Sequence, residues 1–409
     1  MTISRRGMLK AAGAGTALAG SGYAIPKALA EALNLPAALP DGMRAEAVLD
    51  VLPGKKPLIK LSYRPPNYET PLELLGKDGI TSNDAFFVRY HLADIPEVDA
   101  KTWKLQVGGE GANGVVELTL ADLKRMPAAE VTAVCQCSGN RRGLFSPHVP
   151  GVEWGYGAMG CARWRGARLK DVLATVGLKK EAVEIVLDGA DGPIVPKTPD
   201  FVKSIPLARA LDENTLVAYE MNGAPLPHWN GFPARIVIPG WTGTYWVKHL
   251  TSISAVTKPF DGFWMKSAYR IPLNKFPTEV FATQTTEVNT PITEMVVNSL
   301  ITSHADGVQV KAGSAATLSG IAWDAGYGID KVEYSTDSGA SWKNATLGRD
   351  LGRFAFLPFS FTTPPLAAGS HKVSVRAENK KGQKQVTELI LNPAGYHHNV
   401  VQTLTLVAS

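Results

Sequence analysis

The residues best equipped for chemistry in this chain fall in one run, Cys135-Gln136-Cys137-Ser138-Gly139-Asn140-Arg141-Arg142-Gly143. A cysteine followed by small and polar residues and then two arginines sets a thiol beside fixed positive charge, which lowers its pKa and favours the thiolate. A thiolate suits a soft metal. It also suits nucleophilic catalysis when a base stands nearby, and His148 or His91 is a candidate base, so the run alone leaves both chemistries open. The cysteines Cys135, Cys137 and Cys161 are odd in number. A Cys135–Cys137 disulfide is strained at so short a separation. Either all three are buried small hydrophobes, or one thiolate binds a metal.

The run resembles the cysteine motif of the sulfite oxidase family of molybdenum enzymes, and further motifs follow in the family's order. Phe86-Phe87-Val88-Arg89-Tyr90-His91 is similar to its Phe-x-Arg-Asn-His element, with Tyr90 in place of the usual Asn. Arg163-Trp164-Arg165-Gly166-Ala167-Arg168-Leu169, Tyr219-Glu220-Met221-Asn222-Gly223, Gly231-Phe232-Pro233-Ala234-Arg235 and the pair Val247-Lys248 also match. Ala322-Trp323-Asp324 and Ser335-Thr336-Asp337-Ser338-Gly339 carry the resemblance toward the C-terminus.

The resemblance implies roles residue by residue. Cys137 corresponds to the thiolate that binds molybdenum, whose other sulfur ligands come from a molybdopterin dithiolene; Cys135 and Cys161 fall outside that position and are expected in the core. Arg89 and Arg142 match the pocket arginines, planar and permanently charged groups that grip two oxygens of a small anion at once. Arg141 matches without a clear pocket role and is expected either to be structural or to support the pocket residues from behind. Tyr269, 21 residues after Lys248, matches the active-site tyrosine, and Trp154 the pocket tryptophan. His91 shares a face with Arg89 if the run is extended, and is implied to contact the pterin. Arg235 and Lys248 are implied to face the pterin phosphate, and Asp191 to accept from its ring. Asn230 stands where the family often has His, able to donate to a phosphate but not to carry charge. The implied reaction is oxidation of sulfite to sulfate, with electrons passed singly to an external acceptor, a c-type cytochrome. With no His-Pro-Gly-Gly element and no Cys-x-x-Cys-His attachment, no haem is expected in the chain.

These residues must be positioned by two textures of sequence. Residues 31–80 are Pro-rich and expected as an extended arm. From Asp84 to about Val256 short β-like runs alternate with helical ones: 86–90 and 183–187 are expected strands, while 118–126 and 169–176 carry helical spacing. Beyond Pro291 short β-rich runs at 308–311, 315–321, 331–335 and 371–376 are separated by turn residues, as in an antiparallel immunoglobulin-type sandwich. The expected fold class is α+β. A sulfite-oxidase-type mixed α/β molybdopterin domain spans 31–285, and an immunoglobulin-like β-sandwich dimerisation domain spans 286–409, the latter expected to support a homodimer. There is no Gly-x-Gly-x-x-Gly fingerprint, P-loop or His-Glu-x-x-His helix.

The 409 residues suffice for two or three domains, and 45% hydrophobic with 19% charged residues excludes disorder and coiled coil. The net charge is +5, from 42 Lys and Arg against 37 Asp and Glu. Arg5, Arg6, Lys10 and Lys27 supply four of the cations, and without the first 30 residues the balance is 38 against 37, or +1. A nucleic-acid partner therefore loses its support. Residues 1–30 read as an export signal: Ser4-Arg5-Arg6-Gly7-Met8-Leu9-Lys10 resembles the twin-arginine type, an apolar stretch follows, and Ala28-Leu29-Ala30 offers a cleavage site. The stretch is too short and Gly-rich to span a bilayer, so the mature chain is expected to be soluble and periplasmic. Two readings compete with sulfite oxidation. One is a periplasmic molybdenum-dependent methionine sulfoxide reductase of the same superfamily, disfavoured because such reductases resemble only the catalytic domain. The other, from a different class, is a non-catalytic secreted immunoglobulin-like binding protein, which binds no molybdenum.

Overall fold

Two five-stranded sheets build the first domain of the computed structural model, which describes residues 48–76 and 78–409; the export signal expected over 1–30 lies outside the described residues. One sheet runs Lys203–Pro206, Glu184–Gly189, Leu250–Val256, Lys104–Gly108, Val116–Thr119, antiparallel except where Leu250–Val256 meets Lys104–Gly108. The other runs Ala224–Pro225, Leu216–Met221, Met159–Arg168, Ala128–Gln136, with Arg235–Val237 also paired to Leu216–Met221. Alternate residues of these strands, among them Leu105, Val107, Ile185, Leu187, Ala162 and Trp164, turn into one shared core.

Helices are few and short. Leu120–Arg125 and Leu169–Ala174 occupy the two expected positions. The first opens on a capping box: the Thr119 hydroxyl accepts from the Asp122 amide while the Asp122 carboxylate accepts from the Thr119 amide. Pro127 stops it, since the residue before a proline is driven out of the helical region, and Met126 is extended.

The described part of the arm is extended and pairs as strands. Leu49–Asp50, Leu58–Ser62, Asn67–Glu69 and Val88–Arg89 form a four-stranded sheet in that order. The strand expected over 86–90 shortens to Val88–Arg89 because side chains take the preceding carbonyls. Lys55 donates to the Phe86 carbonyl and Asn230 to that of Phe87, which removes both from any ladder.

The second domain is a sandwich of a four-stranded sheet (Asn298–Ile301, Thr317–Trp323, Leu357–Thr362, Thr346–Leu347) on a five-stranded one (Val308–Val310, Gln402–Ala408, Gly369–Asn379, Ile329–Ser335, Lys343–Asn344). The last strand takes its direction from Gly369–Asn379, so Val308–Val310 meets it in parallel, a departure from the all-antiparallel expectation. Strand alternation also joins the domains. From Thr317–Trp323, Leu318 and Ala322 enter the sandwich core, whereas Ile321 and Trp323 pack with Val134, Met159 and Cys161 of the first domain. No helix of the described residues is long and apolar enough to cross a membrane.

Candidate functional site

Eight of the ten residues singled out from the sequence line one cavity of about 660 Å³: Arg89, His91, Cys137, Asp191, Asn230, Arg235, Lys248 and Tyr269. Arg142 and Trp154 do not line it.

Cys137 is the first residue past the Ala128–Gln136 strand. Its amide donates to the Ala158 carbonyl and its own carbonyl accepts from Asn140, both at 2.9 Å, so the chain turns there and leaves the thiol facing the cavity. The second domain holds this turn. Trp323 Nε1 donates to Gln136 Oε1 at 2.7 Å, and Arg141, left-handed at φ 68°, donates to Asn298 Oδ1 and the Val400 carbonyl at 2.8 Å each. Burial pushes the Arg141 guanidinium down to about 10. Arg141 thus takes the structural alternative, acting as a bolt between domains.

Arg142 turns the other way. Its Nε donates to the Ala394 carbonyl at 2.8 Å, its Nη1 to the Val152 carbonyl at 3.2 Å, and the guanidinium lies over the Tyr396 ring at 5.2 Å. A Cβ on Gly139 or Gly151 would come within 2.5 or 2.7 Å of it, so glycine shapes its slot. Trp154 is fully buried in the core, its Nε1 without a hydrogen-bond partner.

On the cavity wall, Arg89 Nη1 donates to Asn67 Oδ1 at 3.1 Å and to the Tyr90 carbonyl. Asn67 is its register partner across the sheet. Because Asn67 Nδ2 donates to Ser62 Oγ and to the Pro65 carbonyl, only its oxygen is left for the arginine. His91 Nε2 and the Tyr269 hydroxyl share a hydrogen bond. The imidazole stacks on Phe201 at 3.6 Å and 12°. Burial, then Arg89, Lys248 and Lys203, hold His91 well below the usual histidine range, so it is neutral at pH 7.

The opposite group is cationic. Arg235 is buried, donating to the Asn230 and Trp246 carbonyls at 2.9 Å each. Lys248 Nζ reaches the Trp229 carbonyl at 3.3 Å and sits 2.9 Å above the Tyr90 ring centroid, a cation–π contact. Burial and Arg235 press the Lys248 ammonium well below its ordinary value, while Asp191 opposes them. Burial lifts Asp191 to about 6 against the pull of Lys248. The hydroxyls of Ser138 and Thr244, both on the cavity lining, are buried without partners. Among the described residues no three His, Cys, Asp or Glu side chains gather to hold a metal. A metal held by Cys137 would need its other ligands from a bound group.

The family models agree with this geometry. Residues 91–264 match an oxidoreductase molybdopterin binding domain and residues 289–402 a Mo-co oxidoreductase dimerisation domain. Sulfite oxidase of Arabidopsis thaliana is 32% identical over 329 residues, 76% of this chain and 81% of the relative. The chain belongs to the sulfite oxidase family of molybdenum enzymes. Mitochondrial sulfite oxidase of Mus musculus is 39% identical over 303 residues, 72% of this chain but 54% of the relative. The chain thus spans about half the length of the first curated relatives it matches. The crystal structure of the sulfane dehydrogenase SoxCD from Paracoccus pantotrophus superposes with a TM-score of 0.73 over 94% of this chain and 90% of that one; at 22% identity this establishes the shared fold.

The family's cofactor fits the donor set. Three cations and two orphaned hydroxyls suit a phosphorylated, hydrogen-bonding pterin, and a single thiol suits a metal already carrying a dithiolene. Sequence reasoning missed several residues of the site. Cys135 packs in the core as expected and also lines the cavity beside Arg235, where burial lifts its thiol to about 11; Cys161 is in the core as expected. Phe201, Trp229, Asn67 and Tyr396 come from distant segments and carry no local signal.

Proposed function

We propose that this chain oxidises sulfite to sulfate at a molybdenum-molybdopterin centre and delivers the electrons singly to an external c-type cytochrome. The observation that carries the reading is a thiol, Cys137, sharing one cavity with an anion-binding arginine, Arg89, and a tyrosine hydroxyl, Tyr269. The printed activity of the mouse and Arabidopsis relatives supports sulfite as substrate.

When bound, the cofactor supplies a metal able to take up two electrons and exchange an oxygen atom. Cys137 Sγ would ligate that metal, and Arg235, Lys248 and Asn230 would receive the phosphate end, with Asp191 accepting from the pterin. Arg89 grips the anionic substrate, its guanidinium aimed by Asn67 rather than free to sweep the cavity. Neutral His91 holds the Tyr269 hydroxyl so that it faces the reacting anion as a hydrogen-bond donor or acceptor. Phe201 backs His91 and keeps water from that side of the cavity.

The reading includes a homodimer formed through the second domain, supported by the match to the family's dimerisation domain. It also includes export to the periplasm, supported by Arg5-Arg6 and the apolar stretch after it. Steady-state assays with sulfite and several one-electron acceptors test it, with methionine sulfoxide and a reduced dye as the control reaction. Sulfite-dependent reduction of cytochrome c is expected; turnover of the sulfoxide alone contradicts the reading.

A further inference from the structure

Lys55 reaches the cavity wall from a segment that takes no part in the proposed reaction. Leu52-Pro53-Gly54-Lys55 makes a turn in which the Lys55 amide donates to the Leu52 carbonyl at 2.9 Å and Gly54 has φ +75°. Pro at the second place and a left-handed Gly at the third are the signature of a type II turn. Trp229 Nε1 donates to the Pro53 carbonyl at 3.0 Å and pins the turn to the wall.

Beyond the turn the ammonium is buried. It donates to Asn230 Oδ1 at 2.6 Å, to the Asn83 carbonyl at 2.7 Å and to the Phe86 carbonyl at 2.9 Å. That uses all three of its donors on neutral acceptors. Because an ammonium only donates, the Asn230 carboxamide is fixed with oxygen toward Lys55 and Nδ2 toward the Phe87 carbonyl at 3.1 Å. The backbone carbonyl of Asn230, a separate acceptor from its carboxamide, takes a hydrogen bond from Arg235 Nη1 at 2.9 Å. Lys55 and Arg235 therefore hold the same residue, one at its carboxamide and the other at its backbone. Lys248, bonded to the Trp229 carbonyl, joins the same wall.

Little negative charge answers these cations. Among the described residues no carboxylate oxygen lies within 4.0 Å of the Lys55, Arg235 or Lys248 nitrogens. Asp84 acts on Lys55 from a distance, as Asp191 does on Lys248. Buried cations of this kind are costly until an anion arrives. Burial brings the Lys55 ammonium down to about 7, so a neighbouring anion has a large hold over its charge.

We propose that Lys55 is a positioning residue for the cofactor: acting through Asn230, it orients and charges the wall that receives the phosphate end of molybdopterin, and so makes the segment around residues 52–55 a latch on cofactor retention. The proposal rests on the reading of this cavity as the molybdopterin site. It also explains how a neutral Asn serves at position 230, since the charge stands one hydrogen bond behind it.

The test uses the full chain with and without its cofactor, reading pterin per chain during dialysis and the thermal midpoints of both forms. Lys55→Gln keeps a hydrogen-bonding side chain without the charge. It should lose pterin about tenfold faster, and the gap between loaded and cofactor-free midpoints should shrink while the cofactor-free midpoint holds or rises. Lys55→Arg, which keeps the charge, should retain pterin within roughly threefold of the wild type, the smaller effect expected of a charge-conserving change at a buried hydrogen-bonded site. Wild-type retention in Lys55→Gln, equal loss from both variants, or a parallel fall of both midpoints would overturn the proposal. So would a Lys55→Gln chain that fails to fold without cofactor, since Lys55 would then serve the fold alone. A wild-type chain that carries no pterin refutes instead the reading of the cavity.

Discussion

Tyr396 of the second domain lies parallel to Tyr269 of the first, with ring centroids 5.6 Å apart and planes inclined by 8°. Tyr269 sits at φ 58°, a left-handed conformation that costs a residue with a side chain about 1–3 kcal/mol. Three contacts hold it there: the Ile292 amide donates to its carbonyl at 2.8 Å, its hydroxyl bonds His91, and Tyr396 covers its ring. Arg142 lies over the Tyr396 ring in turn. The second domain thus reaches the cavity through a stack of rings as well as through the Arg141 bolt.

Removing the stack should loosen Tyr269 without touching the anion contact. Tyr396→Ala is expected to lower kcat roughly two- to tenfold, the scale of the ~0.5–1.5 kcal/mol that an aromatic pair contributes beyond its buried area, and to change KM for sulfite less. Tyr396→Phe keeps the ring and should stay near wild type. Steady-state kinetics check this, and equal losses in the two variants would assign the effect to the hydroxyl instead.

The two arginines should separate kinetically. Arg89→Gln removes charge-assisted contacts worth roughly 1.5–3 kcal/mol, and is expected to raise KM for sulfite about ten- to a hundredfold. Arg142→Gln leaves the Ala394 and Val152 carbonyls without their donor. Its main effect should be a loss of about 1–3 kcal/mol in stability, read by denaturant unfolding, with KM little changed. A larger KM effect at Arg142 than at Arg89 would place the anion on the other side of the Cys137 turn.

The cysteines should divide the same way. Cys137→Ser is expected to abolish bound molybdenum, measured by elemental analysis. Cys161 is fully buried at the domain joint, where burial pushes its thiol up to about 12 and keeps it protonated. Cys161→Ser should keep the metal and lower only stability. Full activity in Cys137→Ser would remove it from the ligand position.

Acid should act on the buried histidines that follow Tyr396. Burial lowers His397 to about 3, and both its ring nitrogens are without partners. A lowered folded-state pKa means that the unfolded chain takes the proton first. The stability contribution is whole above about pH 6.5 and declines by about 1.4 kcal/mol per unit as pH falls toward 3. His397→Asn suits the left-handed backbone at φ 57° and cannot titrate. The stability difference between wild type and this variant should shift in the variant's favour by about that slope between pH 6 and 4, as read by urea unfolding; a difference independent of pH would contradict the assignment.

The legible part of the site was the part written in contiguous motifs. Arg89, His91, Cys137, Arg235 and Lys248 sit inside short runs whose residue types match their chemistry, and all five face the cavity. Arg142 shows the limit of that reading. It is close to Cys137 in sequence, but past the left-handed Arg141 its guanidinium donates to the Ala394 and Val152 carbonyls and does not line the cavity. Lys55, Asn67, Phe201 and Tyr396 were illegible for another reason: each acts through a contact across tens to hundreds of residues, and nothing local in a Pro-Gly turn or an isolated aromatic announces its partner. The strand boundary at Val88 failed likewise, because the competitors for the Phe86 and Phe87 carbonyls are side chains from positions 55 and 230. Helix and sandwich positions fared better, since capping signals and alternation are local.

The central claim is the conversion of sulfite at the Cys137 cavity. It is tested most directly by mixing molybdenum-loaded protein anaerobically with a limiting amount of sulfite and excess oxidised cytochrome c, then measuring sulfate and reduced cytochrome together. Sulfate equal to the sulfite consumed and two reduced cytochromes for each are expected, both abolished by Cys137→Ser. No sulfate above the protein-free control, with molybdenum present and wild-type Cys137 intact, would contradict it.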